Sequence, residues 1–122
     1  MRGNLVFLIA LCVFLTCCDQ NGAPSASQIE AALNDVAKAK NPEAVVKLNS
    51  VDAKGSPFYV EFTFSCTNCV IQHTNSPPIV LPSSEGHGMV TLDAKLQKWK
   101  FDSIYVTYGK VGLVSYKSDH IF

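Results

Sequence analysis

The five cysteines and three histidines offer most of the chemistry in this sequence of 122 residues. Cys66-Thr67-Asn68-Cys69 has a Cys-x-x-Cys spacing that serves disulfides, thiol redox centres and metal sites alike, and His73 and His87 follow it in the chain. A thioredoxin-like redox site needs a helix N-terminus that lowers one thiol pKa. Here β-branched Val70 and Ile71 follow Cys69 at once, and Pro77-Pro78 comes soon after. Covalent haem requires His directly after the second cysteine, and position 70 is Val. Zinc or copper would draw on Cys66, Cys69, His73 and His87, although one cysteine pair with scattered histidines is a sparse metal pattern. A disulfide between Cys66 and Cys69 is the expectation, and metal or thiol redox chemistry at Cys66, Cys69 and His73 is the alternative.

The elements around these residues give the pair its geometry. Phe58, Val60, Phe62 and Phe64 alternate with Tyr59, Glu61, Thr63 and Ser65, which is the period of a half-buried strand. Cys66 continues the phenylalanine face. If Thr67-Asn68 make a two-residue turn, Cys69 sits opposite Cys66 across a hairpin, with Ile71 and His73 on the returning strand.

Upstream, Ile29, Ala32, Leu33, Val36 and Ala37 recur at spacings of three and four and predict an amphipathic helix from Gln28 to about Ala39. Ser27 and Glu30 occupy capping-box positions at its start, and Asn41-Pro42 ends it. Val46, Leu48 and Val51 belong to a short helix or strand, followed by a turn over Asp52 to Pro57. Thr74 to Gly88 reads as a long loop, with Ile79-Val80-Leu81 as a short strand or apolar tip and Glu85 and His87 as binding candidates. Met89 to Leu92 and Phe101 to Tyr108 are strands, the second apolar on both faces toward its centre, and a Gly109-Lys110 turn returns the chain through Val111 to Tyr116. Asp-Ala-Lys begins at both Asp52 and Asp93, and in each copy an aromatic, Phe58 or Trp99, stands four residues after the lysine. A repeated strand-turn-strand unit and shared turn chemistry explain this equally well. The expected fold is α+β, an N-terminal helix packed on an antiparallel sheet of four to six strands, in a single domain over residues 28–122. Tyr59, Tyr105, Tyr108, Tyr116 and Trp99 are candidates for a partly exposed aromatic surface.

The N-terminus has a different character. Met1-Arg2-Gly3-Asn4 is a short positive leader, and Leu5 to Thr16 is apolar and uncharged. That run is shorter than the roughly 20 residues of a membrane-spanning helix and fits a signal-peptide core. Leu15-Thr16-Cys17-Cys18 resembles the lipobox of bacterial lipoproteins. The resemblance implies a signal peptide over residues 1–17, acylation of Cys18, and a lipidated, flexible tether over residues 18–27. Cys17 departs from the Gly, Ala or Ser usual before the cut; taking Cys17 as the acceptor instead would put Phe14 and Thr16 in the key positions. Asp19, directly after Cys18, leans toward inner-membrane retention. Once Cys12 and Cys17 leave with the leader and Cys18 carries lipid, Cys66 and Cys69 remain as one closed pair, which suits an oxidising compartment.

Ten basic side chains balance ten acidic ones, so no Lys/Arg excess points to nucleic acid. The chain has no Gly-rich phosphate loop, Gly-x-Ser-x-Gly elbow or His-Glu-x-x-His pair, and its acids are scattered singly. The expectation is a non-enzymatic, cofactor-free envelope protein that is held on the membrane by its lipid and contacts another envelope protein.

Overall fold

The computed structural model describes residues 22–72, 75–108 and 112–122. The leader, Cys17, Cys18, most of the tether, His73 and the Gly109-Lys110 turn lie outside the described residues. Helix α1 (Ala26–Lys40) precedes seven strands: β1 (Val45–Asp52), β2 (Tyr59–Thr67), β3 (Cys69–Ile71), β4 (Ile79–Leu81), β5 (Ser84–Asp93), β6 (Lys98–Tyr108) and β7 (Gly112–Ser115). Five of them form an antiparallel sheet in the order β1-β2-β5-β6-β7, and β3 and β4 pair apart from it. The α+β expectation holds.

The helix begins two residues before the sequence reading placed it. Ser25, not Ser27, is the N-cap: its hydroxyl accepts from the Gln28 N–H, and the Gln28 side chain accepts from the Ser25 N–H. Pro24 and Ile29, the two positions of a hydrophobic staple around that cap, are both buried. The earlier start releases Glu30 from capping, and its carboxylate accepts a 2.8 Å hydrogen bond from the Leu48 N–H on β1. Ile29, Ala32, Leu33 and Ala37 form the buried stripe, as the helical period requires.

Strand β1 is an edge strand, and the helix covers part of that edge. The Asn34 side chain accepts from the Val46 N–H and donates to the Val46 carbonyl, both at 2.8 Å, and it donates also to the Glu30 carbonyl. The Lys38 ammonium donates to the Ala44 carbonyl. A row of backbone groups that would otherwise invite another strand is thereby satisfied from within the chain.

On its inner face the sheet carries Val46, Val60, Phe62, Phe64, Cys66, Val90, Trp99, Phe101, Ile104 and Val106, all buried against α1 and the chain near Tyr116. Phe62 and Phe64 stand opposite Gly88 and Gly86 on β5. A Cβ on either glycine would collide with the facing ring and with a backbone carbonyl of β6, so the rings lie over bare backbone. The predicted loop over Thr74 to Gly88 is therefore corrected: its last five residues are strand, and its glycines leave room for phenylalanine rings. A bulge accounts for the two-faced apolar pattern of β6. Met89 pairs with Ser103 but Val90 pairs with Phe101, which leaves Asp102 as the extra residue and puts both Phe101 and Ile104 on the inner face.

The repeated Asp-Ala-Lys is shared turn chemistry. Asp52 Oδ1 accepts from the Lys54 N–H, and Asp93 Oδ1 accepts from the Lys95 and Leu96 N–H groups. Hydrogen bonding from the Leu96 N–H, with the Lys100 ammonium 2.9 Å away, holds the Asp93 carboxyl below its ordinary pKa.

Candidate functional site

Cys66 and Cys69 occupy a corner of the fold. Asn68 adopts a left-handed conformation, with φ of 57°, which asparagine tolerates better than most residues. At that point the chain leaves the sheet instead of turning back along it. The predicted hairpin return beside β2 is therefore corrected: β3 pairs with β4, while β2 takes β5 as its neighbour. The two sulfurs nonetheless meet at disulfide distance, with Cα atoms 6.0 Å apart. Polar contacts brace the corner, since the Asn41 side chain at the helix C-terminus donates to the Asn68 carbonyl at 3.0 Å. The Tyr116 hydroxyl donates to the Val70 carbonyl. Burial pushes the Tyr116 phenol pKa up.

Cys66 and Cys69 are both buried, at 2% and 1% exposure, in the core between helix and sheet. His87 lies on the other side of the sheet, because it alternates with the inward-facing Gly86 and Gly88. The set Cys66, Cys69 and His87 is thus separated by the sheet itself, and His73 lies outside the described residues. Among the described residues, no three His, Cys, Asp or Glu side chains gather closely enough to hold a metal ion.

His87 belongs instead to the outer face of the sheet. A cross-strand row runs Ser50, Thr63, His87, Tyr105 and Ser115 over all five strands. The His87 and Tyr105 rings are 5.4 Å apart and tilted by 38°, and the Ser50 and Thr63 hydroxyls hydrogen-bond at 2.6 Å. A cleft of about 230 Å³ opens beside this row, lined by Glu61, Thr63, His87, Met89 and Ser103. Small-molecule sites usually enclose about 300 to 1,000 Å³. The cleft is smaller than that, and the face around it offers hydroxyls, an imidazole, a phenol and a thioether.

Two of the five aromatic candidates, Tyr59 and Tyr105, do lie on this outer face and are half-buried. Trp99 and Tyr116 are buried, and the Tyr108 side chain lies outside the described residues. Glu85 and His87, read from sequence as loop residues, are strand residues of the same face.

A larger concavity of about 770 Å³ lies where the described chain begins, between Ala23–Ala26, the β1–β2 turn and Trp99, and no charged side chain lines it. Comparison with protein families, curated proteins and solved structures finds no match for this chain.

Proposed function

We propose that the chain is a small bacterial cell-envelope lipoprotein whose domain, tethered through Cys18, binds another envelope protein without catalysing a reaction. The lipobox-like Leu15-Thr16-Cys17-Cys18 supports the anchor. Its site is the membrane surface facing the periplasm or exterior, with Asp19 favouring the inner membrane. The Cys66–Cys69 pair acts as a structural disulfide, in keeping with an oxidising compartment. An immunity, exclusion, inhibitory or assembly role would each use such a module, and none needs a cofactor.

The observation that carries the binding role is the outer face of the sheet, which has no second layer over it among the described residues. Antiparallel sheets commonly leave one face in water, but this one places Tyr59, His87, Met89 and Tyr105 among its hydroxyls. Aromatic residues and methionine are enriched where proteins meet.

Two measurements test the proposal. Mass spectrometry of protein extracted from its membrane should find an acylated Cys18 at the mature N-terminus, and an unmodified chain refutes the anchor. A photoreactive side chain replacing Thr63 should give a discrete protein adduct in native membranes, weakened by His87→Glu. The same probe replacing exposed Ala31 on the helix should give none; equal labelling at both positions refutes the binding face.

A further inference from the structure

One end of the domain collects features that have no part in the core or in the outer face. Strand β1 ends at Asp52 opposite Glu61, and β5 ends at Asp93 opposite Lys98. The β1–β2 and β5–β6 turns are therefore neighbours, linked where the Leu92 N–H donates to the Phe58 carbonyl at 2.9 Å. The helix runs antiparallel to β1, because Glu30 meets Leu48, Asn34 meets Val46 and Lys38 meets Ala44. Its N-terminus, and Gly22 to Ser25 before it, lie at this same end.

The apolar side chains exposed here are large. Phe58 is 63% exposed, Leu96 54% and Val51 37%. Ile121, 51% exposed, joins them by pairing with Lys100. Lys54 and Lys95 flank the two turn tips, and Lys98 and Lys100 follow at the start of β6. Lys54 is paired with Glu61 at 3.3 Å and Lys100 with Asp93 at 2.9 Å, so Lys95 and Lys98 are the ammonium groups offered beside the apolar tips. Apolar tips with such lysines match a bilayer interface, where the apolar part enters the acyl boundary and ammonium groups remain with anionic headgroups.

The tether decides between that occupant and others. Four residue steps separate Cys18 from Gly22, and fully extended they reach about 14 Å. An acylated Cys18 therefore puts this end within reach of the bilayer, while the domain can still turn about the tether. The far end of β2 stands about 27 Å away across nine residues of strand.

We propose that this end of the domain docks on the bilayer that holds its lipid, with Phe58 and Leu96 entering the interface and Lys95 and Lys98 contacting headgroups. The docked pose rests on the lipid-anchor reading and adds to it a fixed orientation, with the outer sheet face standing upright from the membrane. An anchor without docking would leave the domain rotating freely on its tether.

The test uses the lipidated protein, purified from its membrane and placed in nanodiscs containing phosphatidylglycerol and a gadolinium-chelating headgroup. Amide signals of Lys54, Gly55, Phe58, Lys95 and Leu96 should be selectively lost, while those of Thr67, Asn68 and Ser84 at the far end persist. A Phe58→Ser, Leu96→Ser variant should lose that selectivity, and its far-end signals report that the fold is retained. Equal broadening at both ends, or selectivity that survives the double substitution, overturns the docked pose while leaving the anchor intact. The mass of the same sample separates the two, because an unmodified Cys18 overturns both. Shifts of these amides with rising protein concentration in detergent would assign the surface to a second copy and also overturn the proposal.

Discussion

Asn34 should be the most consequential polar side chain in the helix. Its amide makes three hydrogen bonds, two of them to the Val46 backbone on the edge of β1, and Val46 is 4% exposed. Asn34→Ala removes all three and leaves a donor and an acceptor on Val46 without their partner. An unsatisfied buried group costs about 1 to 3 kcal/mol. At a sheet edge, where water can reach part of the gap, the low end applies to each group. Alanine returns about 0.6 kcal/mol of helix propensity. The expected loss is therefore about 1.4 kcal/mol, read from urea unfolding midpoints at constant slope.

Asn34→Asp sharpens the test. Its carboxylate still accepts from the Val46 N–H but faces the Val46 carbonyl with no proton to donate. Protonation restores that donor, so the introduced carboxyl should have a folded-state pKa raised above its unfolded value of about 3.9. A raised folded pKa contributes stability that is present in acid and lost as pH rises through it. Relative to the parent protein, the variant should be weaker at pH 7 than at pH 4. An alanine variant within about 0.5 kcal/mol of the parent, a margin typical of uninvolved surface sites, would refute the account. So would an aspartate variant whose deficit does not change with pH.

Three further outcomes follow from the packing. Gly88→Ala should destabilise the fold by about 3 kcal/mol, the upper part of the usual overpacking range, because the new methyl meets both the Phe62 ring and the Ser103 carbonyl; thermal melting would show it. Tyr116→Phe should cost about 1 kcal/mol for the lost bond to Val70. With its phenol pKa raised by burial, the parent should lose stability as pH climbs above the ordinary value of 10.0, and the phenylalanine variant should lose less in alkaline urea titrations. Cys66→Ala with Cys69→Ala should cost about 2 kcal/mol from loop closure over so short a ring. Because both sulfurs are buried, a thiol-labelling reagent with reductant should modify the native protein only as fast as it opens.

The parts of this fold that were legible in the sequence rest on short periods. The apolar stripe of α1 and the alternation of β2 both appear as buried faces, and they were enough to predict a helix on an antiparallel sheet. What escaped depended on partners distant in the chain. Gly86 and Gly88 look like loop residues until Phe64 and Phe62 are known to lie across from them. Ser25 and Ser27 are both suitable caps locally, with Gln28 and Glu30 in equivalent places, and the Pro24–Ile29 staple together with the demand of Leu48 for the Glu30 carboxylate separates them. Spacing alone groups His87 with Cys66 and Cys69, because it does not say on which side of a sheet a residue falls. The mixed pattern of β6 held a clue, since two apolar faces in one strand can signal a bulge that changes sides.

The corner at Asn68 bears on how this protein can change over time. Cys66 and Ser84 are paired neighbours on β2 and β5, and Thr67 still pairs with Val45, so everything from Asn68 to Ser83 leaves the five-stranded sheet and rejoins it close to where it left. Cys69 and Ile71 must remain, because both fill the core. Between Ile71 and Ile79, residues can be gained or lost without moving any pair in the five-stranded register. Descendants of one ancestral chain can therefore carry caps of different length and chemistry on an unchanged platform, at the end of the domain farthest from Gly22.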